Sequence, residues 1–321
     1  MTTPRRSRVD LHCHTARSDG VLEPSALLAA MREWGIAVAA ITDHDTLDGY
    51  GELAATGGVS TAWHGVPTHW ADAAPWPVLI PGVEINSVAR DVPGLREGEL
   101  HILGYGMDPA DAAFEAALES QRRRRAARAE QIVERLRDLG MGIDEQLPEA
   151  MGPGVRSPGR PHIARALVSA GHAKSVDEAM TRLLGPGAPA YVPREGLDPR
   201  QAIDAIRAAG GIPSLAHFPE ALERPEIVER LRAWGLGGLE AWYVSFDEAL
   251  RARMARFAHD RGLLATGGSD FHGDTWTYEQ SQAVCHVPDV AGDALLVALG
   301  SRPVLDVRGS AAGWPPPASL D

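Results

Sequence analysis

The feature that most constrains this chain is a rhythm. Short apolar runs alternate with capped amphipathic stretches, and the runs repeatedly end in His, Asp or Glu. Pro24 opens "PSALLAAMREWG" and Gly35 closes it, after which "IAVAAITDHD" reads as a buried strand running into a polar loop. The pattern continues with the strands "PVLIPGVEI" and "ELHILGYG", a helix after Asp198-Pro199, and the strand "GIPSLAHF". It ends with a helix closing at Gly235, the strand "GGLEAWY", a helix opened by a capping box from Ser245 to Glu248, and "LLATGGSDFHG". Strand-then-helix repetition implies a parallel sheet, and this many units favour a closed or distorted barrel over an open sheet. Functional residues then belong at one rim, where strands end.

One block breaks the rhythm. From about Asp108 to Arg194 helix follows helix: "DPADAAFEAALESQRRRRAARAEQIVERLRDLG", "RPHIARALVSAG", and "SVDEAMTRLLG" with Ser175 and Glu178 as a capping box. The expected organisation is a barrel in two parts, residues 1–107 and 197–321, interrupted by a helical insertion domain at 108–196. The segment between Thr56 and Pro77 has neither clear period nor caps, which makes His64 and His69 loop residues. The tail after Arg302, rich in Pro, Gly and Ala, reads as irregular. At 321 residues the chain is long enough for such a core. A net charge of −12 argues against a generally nucleic-acid-seeking surface, while leaving room for a local basic patch. The apolar runs are short, no membrane segment is expected, and two cysteines, Cys13 and Cys285, form no disulfide framework. A cytoplasmic protein with no obligate protein partner is the resulting expectation.

The opening "VDLHCHTARSDG" shows the chemistry. On a strand Val9, Leu11 and Cys13 face one way and Asp10, His12 and His14 the other. Two adjacent imidazoles repel if protonated and need acceptors if buried, and a metal ion resolves both problems. His44 of "TDHD", Glu84 of "PGVEI", His101 of "ELHILGYG", His217 of "SLAHF", and Asp270 and His272 of "SDFH" join His12, His14 and Asp19 at strand ends. Nine such groups on one rim exceed the roughly four to six ligands of a single ion, so two or three ions would share them. Such a site suits phosphate-ester hydrolysis, in which a water shared by two divalent ions loses its proton near neutral pH and attacks phosphorus in line. No Ser or Cys sits in a nucleophile elbow, and the Gly pairs at 210, 237 and 267 read as helix-to-strand turns rather than a phosphate loop.

With "HCH", "TDHD", the histidine of "LAH" and "SDFH" in order, the chain resembles the PHP (polymerase and histidinol phosphatase) superfamily of phosphoesterases. The resemblance implies a distorted (βα)7-type PHP barrel in the α/β class. Within the superfamily, "GRPHIARAL" and "PAYVPRE" are similar to the branch of nucleoside 3′,5′-bisphosphate phosphatases and RNase AM-type 5′-to-3′ exoribonucleases. By that resemblance His12, His14, Glu84 and Asp270 would hold one ion. Glu84 with His101 and His217 would hold a second, and Asp19, His44 and His272 a third, the ions being Mn²⁺, Zn²⁺ or Fe²⁺. Asp19, Glu84, His217 and His272 would serve catalysis. The chain departs from the family's usual "AHP" by reading "AHFP", with Phe218 before Pro219, which implies a reshaped loop after His217.

The insertion carries the candidate substrate contacts. Pro161 starts a helix, so Ser157, Arg160 and His162 cluster at its N-terminus, a place favourable to phosphate, with Arg156 and Arg194 as further candidate contacts. The competing reading is that Arg160 and His162 merely cap the helix. Four consecutive arginines, Arg122 to Arg125, point all round a helix and read as a solvated face, with RNA-backbone contact as the alternative. The expected substrate is a nucleotide or short RNA: the 3′-phosphate of a nucleoside 3′,5′-bisphosphate, or RNA taken from its 5′ end. A small-metabolite phosphatase of histidinol-phosphatase type would leave the insertion unexplained, and a non-catalytic metal-binding PHP module would be expected to have lost ligands, of which this chain lacks none.

Overall fold

Strands that are apolar on both faces must be covered on both, and this chain covers them by curling the sheet and wrapping helices round it. In the computed structural model, which describes residues 7–56, 77–90, 98–300 and 305–306, seven strands follow one another in the order β1 to β7. They are β1 (Val9–Asp10), β2 (Val38–Ile41), β3 (Val78–Val88), β4 (Glu99–Tyr105), β5 (Ile212–Leu215), β6 (Gly238–Tyr243) and β7 (Leu264–Gly268). A short β8 (Leu305–Asp306) pairs with β3. The ring nearly closes, because Leu11 N–H donates to Gly267 O at 3.1 Å and Asp270 N–H to His12 O at 2.7 Å, joining the end of β7 to the chain leaving β1. His64, His69 and all of the tail except Leu305–Asp306 lie outside the described residues, and that pair forms a strand where the tail reads as irregular.

The expected all-parallel sheet is corrected at one strand. β1–β2, β2–β3, β5–β6 and β6–β7 are parallel, but β4 runs antiparallel to both β3 and β5. Only about ten residues separate β3 from β4, too few for the helical crossover that a parallel neighbour needs, so the chain turns back on itself. As a result, His101 near the start of β4 lies on the same rim as residues at the ends of other strands.

Local signals account for most helices. In α1 (Pro24–Trp34), Gly35 at φ 92° donates back to Met31 and Arg32 carbonyls and ends the helix. α2 spans Asp48–Thr56. α7 (Pro199–Ala208) opens on an Asp198/Gln201 capping box, and α8 (Pro225–Ala233) follows β5. In α9 (Glu248–His259) the cap is Asp247, whose carboxylate accepts from Leu250 N at 2.7 Å, and not Ser245. Ser245 sits in the turn leaving β6, where Phe246 N–H donates to Tyr243 O. α10 (Tyr278–Val284) and α11 (Asp289–Leu299) complete the barrel. Among the described residues no single helix is long and apolar enough to cross a membrane.

The helical block comprises α3 (Ala112–Asp138), α4 (Leu147–Met151), α5 (Arg160–Ser169) and α6 (Val176–Ala179), the last continued by a π turn at Met180–Leu184. α3 belongs to both parts. Phe114 and Leu118 enter the barrel core, whereas Ile132, Val133 and Leu136 form a separate core with Ile163, Leu167, Leu183 and Leu184. One 27-residue helix thus carries the block out over the rim as a rigid arm.

The corrected start of α9 makes a direct forecast. Asp247→Ala loses an N-cap and is expected to lower stability by about 1 kcal/mol, while Ser245→Ala changes it by a few tenths at most. Urea midpoints of the two variants check this. The opposite ranking would restore the Ser245 start.

Candidate metal centre

The rim is held together by buried carboxylates that never face it. Asp10 accepts from Ser269 N (2.9 Å), Ser269 Oγ (2.7 Å) and Tyr278 Oη (2.9 Å), locking the "HCH" stretch to the "SDFH" stretch. Asp43 accepts from Thr15 N (2.7 Å), Thr15 Oγ1 (2.6 Å) and Ser18 Oγ (2.7 Å), which folds residues 15–18 back and points Asp19 at the histidines. Backbones also come close: a Cβ on Gly268 would meet His12 N at 2.3 Å. The Gly267–Gly268 pair therefore ends β7 at a close approach, correcting its reading as a helix-to-strand turn. Asp45, His217 and Asp270 all take left-handed backbone angles (φ 54°, 25° and 48°), a strain of order 1–3 kcal/mol each that the surrounding bonds must hold.

All nine rim residues converge. His12, His14, Glu84 and Asp270 form one set, Glu84, His101 and His217 a second, and Asp19, His44 and His272 a third that His14 joins. Strand-end placement holds for six of them; Asp19 lies in a turn nine residues beyond β1, Glu84 in the middle of β3, and His101 two residues after β4 begins. Glu84 is shared, its Oε1 lying 2.8 Å from His101 Nδ1 and 3.0 Å from His217 Nε2, its Oε2 3.3 Å from both His12 Nε2 and His14 Nε2. Asp270 Oδ1 stands 3.2 Å from those same two nitrogens. Asp19 lies 3.4 Å from His272 Nε2 and 3.5 Å from His44 Nε2.

These donors fit divalent cations better than they fit one another. His12 Nε2, both His14 nitrogens, Asp19 Oδ1 and Asp270 Oδ1 are buried with no hydrogen-bond partner. The 3.2–3.3 Å separations in the first set match the roughly 3.0–3.5 Å expected between donors that each lie about 2.0–2.2 Å from a common ion. Burial would raise the Glu84 carboxyl, but His44, His12 and His101 hold it well below the usual range, so it is a carboxylate ready for a cation. Further groups orient the donors. Glu240 Oε1 meets His12 Nδ1 at 2.9 Å, Glu240 Oε2 accepts from His217 N at 2.8 Å, and Tyr243 Oη donates to Asp270 Oδ2 at 2.9 Å. Neither Glu240 nor Tyr243 belongs to a motif that marks it in the sequence, although a carboxylate inside the buried run "GLEAWY" signals that it must have a partner.

Above the cluster lies a cavity of about 270 Å³ whose other wall comes from the insertion: Arg125, Arg160, Pro161, Met180 and Arg194. The arginine run is not a solvated face. Arg122 and Arg125, three apart on α3, point inward and are buried, with Arg128 one turn on, whereas Arg123 and Arg124 are exposed. Arg125 reaches Asp45 Oδ2 (3.4 Å) and Asp19 Oδ2 (3.8 Å), tying the insertion to the rim. Arg128, Arg160 and Arg194 gather round Glu99. Ser157 Oγ is buried without a hydrogen-bond partner, and neither Ser157 nor His162 lines the cavity. His162 Nδ1 accepts the N–H of Gly159 at 3.1 Å, which is the capping arrangement.

No family model matches the chain. It is 33% identical over 270 residues to a 5′-3′ exoribonuclease of Haemophilus influenzae, covering 83% of this chain and 90% of the relative. It is 32% identical over 273 residues to a 3′,5′-nucleoside bisphosphate phosphatase of Chromobacterium violaceum, covering 83% and 87%. The chain belongs to the PHP-type metal-dependent phosphoesterases. A crystal structure from Bifidobacterium adolescentis assigned as a metal-dependent phosphoesterase superposes with a TM-score of 0.74 at 28% identity, over 96% of this chain and all of that one. As a PHP-type phosphoesterase, the protein is a hydrolase of phosphoester bonds.

Two measurements probe this PHP-type centre. Glu240→Gln keeps the shape but weakens the acceptor that fixes His12, and should cost about 10- to 100-fold in divalent-ion affinity, read by chelator competition. Unchanged affinity would reject the orienting role. Burial pushes His162 down to about 4, so the folded state resists a proton that the unfolded chain takes up near 6.5. Its contribution is complete above pH 6.5 and is lost as pH falls toward 4, by up to about 3 kcal/mol. His162→Gln should flatten stability over that interval in urea titrations at several pH values.

Proposed function

We propose that this phosphoesterase acts on the end of a nucleotide chain, hydrolysing the 3′-phosphate of nucleoside 3′,5′-bisphosphates and cleaving short RNA from its 5′ end. The observation that supports this reading is one cavity with two unlike walls, seven of the nine His, Asp and Glu groups on one side, with His12 and His14 buried behind them, and Arg125, Arg160 and Arg194 on the other. His12, His14, Glu84 and Asp270 would hold one divalent ion, Glu84, His101 and His217 a second, and Asp19, His44 and His272 a third, as Mn²⁺, Zn²⁺ or Fe²⁺. Bound there, such ions supply Lewis acidity and an acidified water.

The chain's own residues do the rest. Glu84 offers one oxygen to each of two donor sets and so holds them in register. His217 and His272 are each about a quarter exposed, on the open side of the cluster, where with Asp19 and Glu84 they would face the reacting phosphate. Arg160 and Arg194 would take a second phosphate, with charge-assisted hydrogen bonds typically worth about 1.5–3 kcal/mol. Ser157 and His162 would support them from the start of α5. On RNA, the terminal 5′-phosphate would lie among the arginines and present the next phosphodiester to the cluster. A cytoplasmic setting, which keeps the buried Cys13 and Cys285 reduced, belongs to the same proposal.

The test is a comparison of phosphate count on one metal-loaded enzyme. Arg160→Ala should lose about tenfold or more on a nucleoside 3′,5′-bisphosphate and on 5′-phosphorylated RNA, yet hardly change with a simple aryl phosphate. Equal losses on all three, or wild-type indifference to the 5′-phosphate of end-labelled RNA, would sink the two-phosphate reading and favour a small-metabolite phosphatase.

A further inference from the structure

The carboxylate of Glu99, the first residue of β4, lies behind the cavity wall, next to three of the residues that line it, Arg160, Arg194 and His101. Its Oε1 lies 3.1 Å from Arg194 Nε and 3.8 Å from Arg128 Nη1, and its Oε2 3.8 Å from Arg160 Nη2. On its other side Oε2 faces His101 Nε2 at 4.0 Å. His101 turns its second nitrogen, Nδ1, to Glu84 and His217. Glu99 is 8% exposed at its side chain, and neither Glu99 Oε1, Arg194 Nε nor Arg128 Nη2 has an aligned hydrogen bond, so this is a charge cluster with bonding capacity to spare. Three guanidiniums against one carboxylate leave an excess of positive charge at a buried place, which suits an incoming phosphate.

We propose that Glu99 is a positioning residue with two opposed effects: it opposes anions in the arginine cluster, and it steadies His101 as a donor to the Glu84–His101–His217 set. The first effect is Coulombic, since a buried carboxylate among the arginines repels the dianion they attract. The second follows from imidazole chemistry. A carboxylate on the Nε2 side favours the tautomer with its proton on Nε2, which leaves the Nδ1 lone pair free to point at the cluster, and such outer partners typically matter about 10- to 100-fold in metal affinity. The proposal rests on the two-phosphate reading above, because only a second phosphate would feel the first effect. It adds that selectivity for that phosphate is held below what three arginines alone would give, in exchange for a firmer metal set.

Glu99→Gln separates the two effects by sign. On metal-loaded enzyme, KM for a nucleoside 3′,5′-bisphosphate relative to the matching 3′-monophosphate should fall about tenfold, while the most weakly held divalent ion should be lost about tenfold more readily to a chelator. Glu99→Asp keeps the charge but withdraws it from His101, so the KM ratio should return toward wild type while the ion stays weakly held. Thermal melting of both variants guards against simple misfolding, and a residue with a purely structural role would move both readouts in the unfavourable direction. An unchanged KM ratio overturns the arginine effect, and unchanged ion retention overturns the His101 effect. Failure of the two-phosphate reading looks different, because the wild-type enzyme itself would then not distinguish the bisphosphate from the monophosphate.

Discussion

A single buried carboxylate carries the architecture of the site. Glu84, 1% exposed and in the middle of the longest strand, has imidazoles of His12, His14, His44, His101 and His217 within 3.3 Å of its two oxygens. Burying an anion costs several kcal/mol unless positive partners surround it, and an imidazole cluster is equally costly unless something takes up its lone pairs. Divalent ions meet both needs at once. The barrel can be understood as the frame that keeps these donors from relaxing away from one another. Asp10 and Asp43 pin the two chain segments that bear them, Glu240 and Tyr243 set their orientation, and three left-handed non-glycine residues hold the rim in strain.

The same logic extends upward into the insertion. Its first helix is rooted in the barrel core by Phe114 and Leu118, so the arginines on its inner face arrive at fixed positions over the cluster. Arg125 is bound to Asp45, the residue after His44, and Arg165 donates to the backbone carbonyl of Asp19. The block that would bind substrate and the rim that would bind metal are therefore fastened to each other through the donor-bearing loops. This arrangement places an electropositive wall inside a protein whose net charge is −12. Local charge, not the total, sets what such a cavity attracts.

Much of this architecture is legible in the amino-acid sequence. Pro24, Gly35, Asp198 and Ser175 mark helix ends because capping depends on residues a few places apart, and the alternation in "VDLHCHT" separates a dry face from a wet one by pleat geometry alone. The nine rim residues can be named because each stands beside an apolar run, and the fold brings all nine together. The sequence by itself therefore determined most element types, the barrel class, the helical interruption and the nine His, Asp and Glu residues that the fold brings together. Only the tertiary structure decided the rest: that β4 runs backward, that Arg122, Arg125 and Arg128 turn inward while Arg123 and Arg124 stay out, that Asp247 caps α9, and that Glu99, Glu240 and Tyr243 face the site. The reason is range. A helix cap or strand pleat is settled by neighbours along the chain, whereas the direction of β4 and the partners of Glu99, 29 to 95 positions distant, depend on which surfaces meet when the barrel closes.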